Sequence, residues 1–367
     1  GTLDIDVSTS IGAVITHTTA SIIDVLSGKV LILDDTTTAG SPAVAVPIDV
    51  GAQTLELKGA GTITNTSPFR MGNIISIIKI TGASTTSKIT TNADMNSGKG
   101  LDIDAACTIT TLTLTNTCPV NIQNAIIATV TTLNLNTGGK AWFEATGGGG
   151  RLNAAGAGSL ILNGGTLDVD KVQSIGAVVT HTAASIIDVA NSITLLFDDA
   201  TTAGTPPVAV PIDIGAFKLI IQGTGTLNIS NQNLRVNNPS SIIQMDGADT
   251  FLNAEITTSA DVTSSGAGRV GTANVFGLLL TNNVRIATLT VTKNLGIDIT
   301  TSMTARVDAI VIGDGSAAAT LSVLKFVSGG SGGRLNHNTT DRGTLSLNKG
   351  TLDIDVSTSI GAVITHT

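Results

Sequence analysis

Short segments that alternate apolar and polar residues recur along the whole chain. The commonest pattern is Thr or Ser, then Leu, then any residue, then Leu, Ile or Val, and it begins for example at Thr54, Thr111 and Thr132. An alternation of period two predicts a β-strand with one buried face. Glycine and asparagine turns follow these segments closely, and no long segment has the period of an amphipathic helix. The pattern therefore predicts an all-β protein.

The spacing of these segments indicates how the strands are arranged. The steps from Thr111 to Thr132 and from Thr132 to Ser159 are 21 and 27 residues, which suits one turn of a parallel β-solenoid. The 7-residue step from Ser159 to Thr166 suits two strands around one corner. Coils stacked about 4.8 Å apart place like on like, with aliphatic residues inside and Thr, Asn and Ser ladders outside. We predict a parallel β-solenoid, or β-helix, built from tandem repeats.

The repeats are long and visible by eye. Residues 1–18 read GTLDIDVSTSIGAVITHT, residues 350–367 read the same letters, and residues 165–182 differ from them at few positions. The likeness continues, since most positions of 1–52 match 165–216. We predict one solenoid unit over 1–164, a longer homologous unit over 165–349 and the start of a further unit at 350–367. We interpret the chain as a slice of a longer tandem array; a C-terminal duplication is the alternative.

Composition narrows the architecture and the function. Aromatic residues make up 2%, with one Trp and no Tyr, whereas a string of β-sandwiches, the competing architecture, usually buries a Trp or Tyr. Charged residues make up 13%, the formal net charge is −8 and the pI is about 4.8. Without a basic stripe or stacking aromatics we expect no nucleic-acid partner. The chain contains no run of 18 apolar residues, so we expect no membrane span. The first residues show no signal-peptide pattern.

Two segments carry a family resemblance. Residues 158–170 read GSLILNGGTLDVD and residues 343–355 read GTLSLNKGTLDID. They resemble the GxLxLxGGxLxV repeats of bacterial autotransporter passengers and related β-helical surface adhesins, including rickettsial surface antigens. The resemblance implies a right-handed parallel β-helix at the cell surface that serves in adhesion or as a coat. It implies no catalytic residue.

Paired aspartates are the first candidates for chemistry. In a strand, residues two apart share a face, so Asp4 and Asp6 should both point outward beside an inward Ile5. Stacked carboxylates could bind Ca²⁺ or serve as the acid and base of a glycosidase, and the plainer interpretation is a solvated acidic face. The pairs are Asp4/Asp6, Asp34/Asp35, Asp102/Asp104, Asp168/Asp170, Asp198/Asp199 and Asp353/Asp355.

Histidines, glycine runs and one proline motif carry little chemistry. His17, His181 and His366 occupy one repeat position, inside Thr-His-Thr, and we expect surface or rim histidines there; His337 stands alone. The glycine runs 147–150 and 329–333 have no Walker lysine and no following helix, so they predict corners rather than a phosphate cradle. The motif at 44–49, matched at 208–213, places Pro in a strand-like run, which marks a strand edge or a bulge.

The two cysteines leave an alternative open. Cys107 and Cys118 flank a strand-like segment that would span about 33 Å if fully extended. A disulfide needs Cα atoms within about 7 Å and hence a corner between them. Both a disulfide and two buried thiols are consistent with the sequence.

These observations favour a structural function. The first hypothesis is a repeat segment of a long extracellular or cell-surface solenoid fibre, sheath or filament, which stacks head-to-tail with copies of itself. The second is an adhesin stalk or glycan-binding surface module, and the third is a β-helix enzyme that degrades polysaccharides. Because a chain that repeats its features is a poor setting for a single active site, we expect no enzyme activity, no catalytic residue and no cofactor, with Ca²⁺ as the one candidate ligand.

Overall fold

The computed structural model describes residues 1–39, 41, 44–82, 85–203, 205, 207–262, 276–313, 322–326, 332–336 and 342–366. The fold is all-β, without a helix among these residues, and its long sheets are parallel, as the alternation predicts. By packing, the chain forms two compact units, Gly1–Val179 and Thr180–Thr367. These bounds lie about one strand pair beyond the start of the second sequence repeat at Gly165.

The described residues of unit 1 form 21 strands that lie wholly within it. Every coil contributes one strand to a first sheet and one or more to a second sheet. The strands are β1 Thr2–Ile5, β2 Thr9–Ile11, β3 Ser21–Val25, β4 Val30–Leu33, β5 Thr38–Ala39, β6 Val44–Ala45, β7 Ile48–Asp49, β8 Thr54–Lys58, β9 Thr62–Asn65, β10 Phe69–Met71, β11 Ile77–Ile80, β12 Thr85–Thr91, β13 Gly100–Ile103, β14 Cys107–Leu114, β15 Thr117–Ile122, β16 Ile127–Asn136, β17 Lys140–Phe143, β18 Arg151–Leu152, β19 Ser159–Asn163, β20 Thr166–Val169 and β21 Gln173–Ile175.

The first sheet of unit 1 is a parallel ladder in the order β1-β3-β8-β11-β13-β15-β17-β20. Its register places apolar residues on one another, as where Ile80 lies beside Ile103 and Ile103 beside Ile122. These side chains are at most 1% exposed. Each coil thus buries aliphatic area, which contributes roughly 25 cal/mol per Å² to the stability of the fold.

The second sheet of unit 1 bends along its length. In β14 the burial alternates until Thr110 and Thr111, which both lie outside, and the alternation then resumes at the buried Leu112. Two successive outward residues mark the bend. Leu112 stacks on Leu133 and Leu133 on Leu160, so aliphatic ladders line both limbs of the sheet. Outside, Thr111 lies beside Thr132, as predicted for a solenoid.

Coil length varies while the register holds. Strand partners are 19 residues apart at Leu101 and Val120, and 34 apart at Ile23 and Leu57. The long coil includes the antiparallel hairpin of β5 and β6. Pro47 separates this hairpin from β7, so the proline ends one strand and precedes the next, which agrees with a strand-edge position.

Unit 2 repeats the architecture. Its strands are β22 Val178–Ala183, which crosses the boundary, β23 Ser185–Val189, β24 Thr194–Phe197, β25 Thr202–Ala203, β26 Val208–Ala209, β27 Ile212–Asp213, β28 Lys218–Gly223, β29 Thr226–Val236, β30 Ile242–Met245, β31 Thr250–Thr258, β32 Leu278–Leu280, β33 Val284–Val291, β34 Leu295–Ile299, β35 Thr304–Ile312, β36 Val323–Phe326, β37 Arg334–Leu335, β38 Gly343–Leu347, β39 Thr351–Ile354, β40 Ser359–Ile360 and β41 Ala362–His366. The first sheet runs β23-β28-β30-β32-β34-β36-β39, and β25 and β26 form the antiparallel hairpin.

Candidate functional site

In two of the predicted acid pairs of the first sheets, a lysine from the preceding coil lies between the two outward carboxylates. Lys79 Nζ is 2.9 Å from Asp104 and 3.6 Å from Asp102. Lys325 Nζ is 2.8 Å from both Asp353 and Asp355. The hydrogen bond that Lys325 donates to Asp353 is the main cause that raises the pKa of Lys325 to about 12. These carboxylates therefore belong to surface ion pairs.

The pair Asp168 and Asp170 has the same arrangement with one change. Lys140, in the preceding strand, forms an ion pair with Asp168, and Trp142 Nε1 donates a hydrogen bond of 2.8 Å to Asp170. The ammonium of Lys140 also lies 5.1 Å from the centre of the Trp142 ring. In the second copy of the repeat start, Lys140 and Trp142 of the preceding coil thus bond one aspartate each. In the third copy, Lys325 of the preceding coil bonds both aspartates.

The first copy of this repeat start differs. Asp4 and Asp6 are exposed, and none of the ion pairs among the described residues includes them. Asp4 lies beside Asp24 in the ladder, and Asp24 has its own lysine, Lys58, at 3.1 Å. The edge of β1 that would meet a preceding coil therefore presents two aspartates without the lysine that their equivalents have.

The pairs at the hairpins form turns rather than an acid–base site. Asp35 Oδ1 accepts hydrogen bonds from the backbone N and the hydroxyl of Thr37. These bonds lower the pKa of Asp35. Asp199 does the same for Thr201 in unit 2, and it is fully buried and also accepts a bond from Gln232. Within the described part of the chain, no group of three or more His, Cys, Asp or Glu side chains converges as a metal site.

A second repeated ion pair escaped the sequence analysis. Arg70 Nε donates to Asp49 at 2.6 Å in unit 1, and Arg235 donates to Asp213 through Nε at 2.6 Å and Nη2 at 2.8 Å in unit 2. The partners are neighbours in the ladder of the second sheet. The signal in the sequence is that both members recur at equivalent positions of the repeat. Two parallel hydrogen bonds between an arginine and an aspartate fix the geometry of the pair as well as pairing the charges.

Of the three repeat histidines, only His181 departs from the surface or rim position that the sequence predicts. His181 is 6% exposed and its Nδ1 lies 2.8 Å from the carbonyl oxygen of Ile214. His17 makes the equivalent bond to Val50 and is half-buried, whereas His366 is exposed. Burial lowers the pKa of His181, and its backbone hydrogen bonds oppose this only in part. The neutral imidazole of His181 thus forms a hydrogen bond to a backbone carbonyl 33 residues further along the chain. His337 lies outside the described residues.

The glycine run 147–150 also has a structural role. The backbone N of Gly148 donates to Asn121 at 2.6 Å, and that of Gly149 donates to Asn124 at 2.7 Å. Amides that are already bonded to side-chain oxygens are not free to hold a phosphate. In the run 329–333, residues 329–331 lie outside the described part of the chain.

The cysteines are two free, buried thiols. Cys107 is 7% exposed in β14 of the second sheet, and Cys118 is fully buried in β15 of the first sheet. Burial raises the pKa of both thiols to about 12. Of the two alternatives that the sequence leaves open, the structure contains the buried thiols.

This state of the thiols predicts their reactivity. Because the thiolate is the nucleophile, a thiol with a pKa near 12 is almost wholly protonated at pH 8. We expect neither cysteine of the folded chain to react with a disulfide reagent such as DTNB within minutes, and two equivalents to react after unfolding in guanidinium chloride. Rapid reaction of even one equivalent in the folded chain would contradict the buried arrangement, and Cys107→Ser identifies which thiol reacts.

An apolar cavity opens at the first coil of unit 1. It has a volume of about 270 Å³. Its walls include Leu3, Ile15, Ile22 and Phe69, with His17 at one side. Leu3 and Ile15 are half-buried, whereas Leu167 and Val179, their equivalents in the second copy of the rung, are 0% and 6% exposed. The first coil therefore leaves part of its aliphatic ladder uncovered.

The last coil of unit 2 leaves an aliphatic ladder uncovered as well. Ile354 is 49% exposed and Ile364, which lies beside the buried Leu345, is 60% exposed. Val169, the equivalent of Ile354 in the second copy, is fully buried. Among the described residues, the rungs at 1–18 and 350–366 thus expose apolar side chains more than the equivalent rung at 165–182 does.

Comparison with family models, with curated proteins and with solved structures finds no match. No helix formed by the described residues has the length and apolar character needed to cross a membrane.

Proposed function

We propose that this chain is a structural repeat segment of an extracellular solenoid fibre or sheath, in which copies stack head-to-tail. The observation that carries the proposal is how copies of one rung meet the coil before them. The rung at 165–182 and the rung at 350–367 each receive a lysine-bearing strand on their leading side, through the pairing of β17 with β20 and of β36 with β39. The rung at 1–18 is identical in sequence to the rung at 350–367, so it offers the same edge to a preceding coil.

Physical chemistry supports association through these edges. An open end of a parallel sheet leaves backbone N–H and C=O groups that can pair with a further strand. Burial of the exposed aliphatic ladder contributes roughly 25 cal/mol per Å². A contact between the last coil of one copy and the first coil of the next is heterologous, because the two surfaces differ, and such contacts produce linear filaments rather than closed dimers.

The remaining parts of the proposal rest on the sequence. The extracellular or surface setting follows from the resemblance of 158–170 and 343–355 to surface β-helices. No catalytic residue is assigned: the carboxylates of Asp102/Asp104, Asp168/Asp170 and Asp353/Asp355 are bonded to lysine or Trp142, and Asp35 and Asp199 to threonine. Stability of a solenoid grows with the number of stacked coils, so length and rigidity themselves would be the function.

The test is self-association of the 367-residue chain. We expect sedimentation velocity to show assemblies that grow with protein concentration, and negative-stain images to show unbranched filaments of uniform width. Ile364→Asp places a charge at a position that is 60% exposed in β41, and should abolish growth because a charge buried without a partner is costly.

Val172→Asp is the matched control. Val172 is 56% exposed but lies in the segment between β20 and β21, which belongs to neither the first nor the last coil. This variant should assemble like the unmodified chain. A monomer at all concentrations, or equal loss of assembly in both variants, would refute head-to-tail stacking.

A further inference from the structure

One cleft in unit 2 has no place in the stacking proposal. It measures about 480 Å³, within the usual range of small-molecule sites, about 300–1,000 Å³. Its lining includes Asp249, Phe251, Asn283, Arg285, Thr304 and Arg306. Three of these residues are ladder neighbours on the outer face of the second sheet, with Phe251 in β31, Arg285 in β33 and Arg306 in β35.

The two guanidinium groups share one carboxylate. Arg285 donates to Asp308 Oδ2 from Nε at 3.0 Å and from Nη2 at 2.6 Å, and Arg306 Nε donates to Oδ1 at 2.8 Å. Burial favours the neutral form of Asp308, but the bonds from the two arginines outweigh it and lower its pKa. An arginine has five N–H donors in a planar fork, and Arg285 uses only Nε and one N–H of Nη2 on Asp308, so the Nη1 side of Arg285 keeps donor capacity in the cleft.

The remaining lining adds an aromatic ring and polar oxygens. The guanidinium carbon of Arg285 lies 4.3 Å from the centre of the Phe251 ring, a cation–π contact that stabilises this orientation of the arginine. Asn283 links two other residues of the cleft. Its side-chain oxygen accepts a hydrogen bond from Thr304 N at 2.8 Å, and its backbone carbonyl accepts one from Asp249 N at 2.6 Å. Arg285 and Arg306 side chains are 41% and 37% exposed, so a ligand can reach them.

Comparison of the two units indicates that the fold does not require these charges. Strands β14 and β16 of unit 1 read CTITTLTL and, from Ile127, IATVTTLNL; β33 and β35 of unit 2 read VRIATLTV and TARVDAIVI. The inward residues stay aliphatic or small. Three outward threonines of unit 1, Thr108, Thr129 and Thr131, are replaced in unit 2 by the two arginines and the aspartate.

Stability is a weak reason for such a replacement. Ion pairs at the surface contribute about 0–1 kcal/mol, and unit 1 forms the same ladder with threonine alone. A charged cluster that departs from the repeat only on the outer face, at a cleft, is therefore better explained by a ligand.

We propose that this cleft binds an acidic saccharide whose carboxylate is held by the Nη1 and Nη2 donors of Arg285 that Asp308 does not use, with the charge of Arg306 beside it. Arginine matches a carboxylate with two parallel hydrogen bonds. Asp249, Asn283 and Thr304 offer the oxygens and amide that bond sugar hydroxyls. Since Asp249 and Asp308 balance the two arginines, long-range attraction is small and recognition depends on the geometry of these bonds. The inference is independent of head-to-tail stacking.

The experiment is calorimetric titration of the 367-residue chain with trigalacturonate. Maltotriose, which has no carboxylate, and a short poly-glutamate are titrated alongside. We expect binding of trigalacturonate only, and a loss of affinity of at least tenfold in Arg285→Thr and in Arg306→Thr, since each removes charge-assisted hydrogen bonds. Threonine is the unit 1 residue at both positions, so both variants should fold, which circular dichroism and thermal melting verify.

Arg235→Thr is the matched control, because Arg235 is an outward arginine of unit 2 with 37% side-chain exposure and an aspartate partner, outside the cleft. It should bind trigalacturonate like the unmodified chain. No binding of trigalacturonate, equal binding of maltotriose, preferential binding of poly-glutamate, or unchanged affinity in Arg285→Thr would each overturn the proposal. Assembly is measured separately by sedimentation, so failure of one proposal is not mistaken for failure of the other.

Discussion

Replacement of Gly59 by alanine is expected to destabilise unit 1 by about 2–5 kcal/mol, the sum of a left-handed backbone at a non-glycine residue and overpacking. Gly59 has φ +80°, and an added Cβ would lie 2.2 Å from the carbonyl oxygen of Val25 and 2.6 Å from a carboxylate oxygen of Asp24. The obstructing atoms include the backbone of the preceding coil, which cannot move without disturbing the stack. Urea unfolding followed by circular dichroism measures the effect.

Gly28→Ala separates the two causes. Gly28 has φ +76°, close to that of Gly59, but an added Cβ would meet nothing within 4 Å. It should cost only the backbone part, about 1–2 kcal/mol. Equal destabilisation by the two substitutions would mean that the coils at Gly59 are not stacked as closely as described here.

Asn153→Ala is expected to cost about 2–4 kcal/mol, because two buried backbone groups lose their partner. Asn153 is fully buried with φ +58°. Its side-chain oxygen accepts a bond of 2.6 Å from Val130 N, and its Nδ2 donates to the Val130 carbonyl at 3.0 Å. The side chain thus replaces a missing strand between two coils. Urea unfolding gives the loss of stability, and hydrogen exchange at the Val130 amide should accelerate.

Two comparisons accompany this prediction. Asn336 has the same burial, a φ of +56° and the same two bonds to Val307, so Asn336→Ala should have a similar effect in unit 2. Asn134 is half-buried on the outer ladder, with one contact of 3.5 Å to Thr113. Asn134→Ala should therefore change stability by less than about 0.5 kcal/mol. A cost at Asn134 as large as that at Asn153 would contradict the bridging role.

Much of the coil was predictable from local pattern. The alternation in segments such as Leu112–Leu114 identified the strands, and the recurrence of like residues at 132–135 and 159–162 identified which of them stack. The 7-residue step at Ser159 correctly predicted a corner, with β19 and β20 in different sheets. These features depend on side-chain period and spacing alone, which the chain displays directly.

The roles of polar residues were less accessible. His181 was expected at the surface because it lies among threonines, yet it is buried against the Ile214 carbonyl. Ile214 lies 33 residues further along the chain, and this separation depends on the length of the coil that contains the hairpin of β25 and β26. The lysine between Asp353 and Asp355 likewise comes from Lys325 in another coil. Pairings of this kind follow from register, which no single segment contains.

By itself, the sequence determined that this protein is a parallel solenoid of tandem repeats, since a period of two fixes which face of each strand is apolar and near-identical segments at regular spacing can bury that face only on one another. The tertiary structure alone decided which polar groups meet: the lysine between paired aspartates, the asparagine that joins two coils, and the arginines that share Asp308. The physical reason is that aliphatic stacking depends on pattern, whereas hydrogen bonds and ion pairs depend on distances of about 3 Å between residues that are 20 or more positions apart.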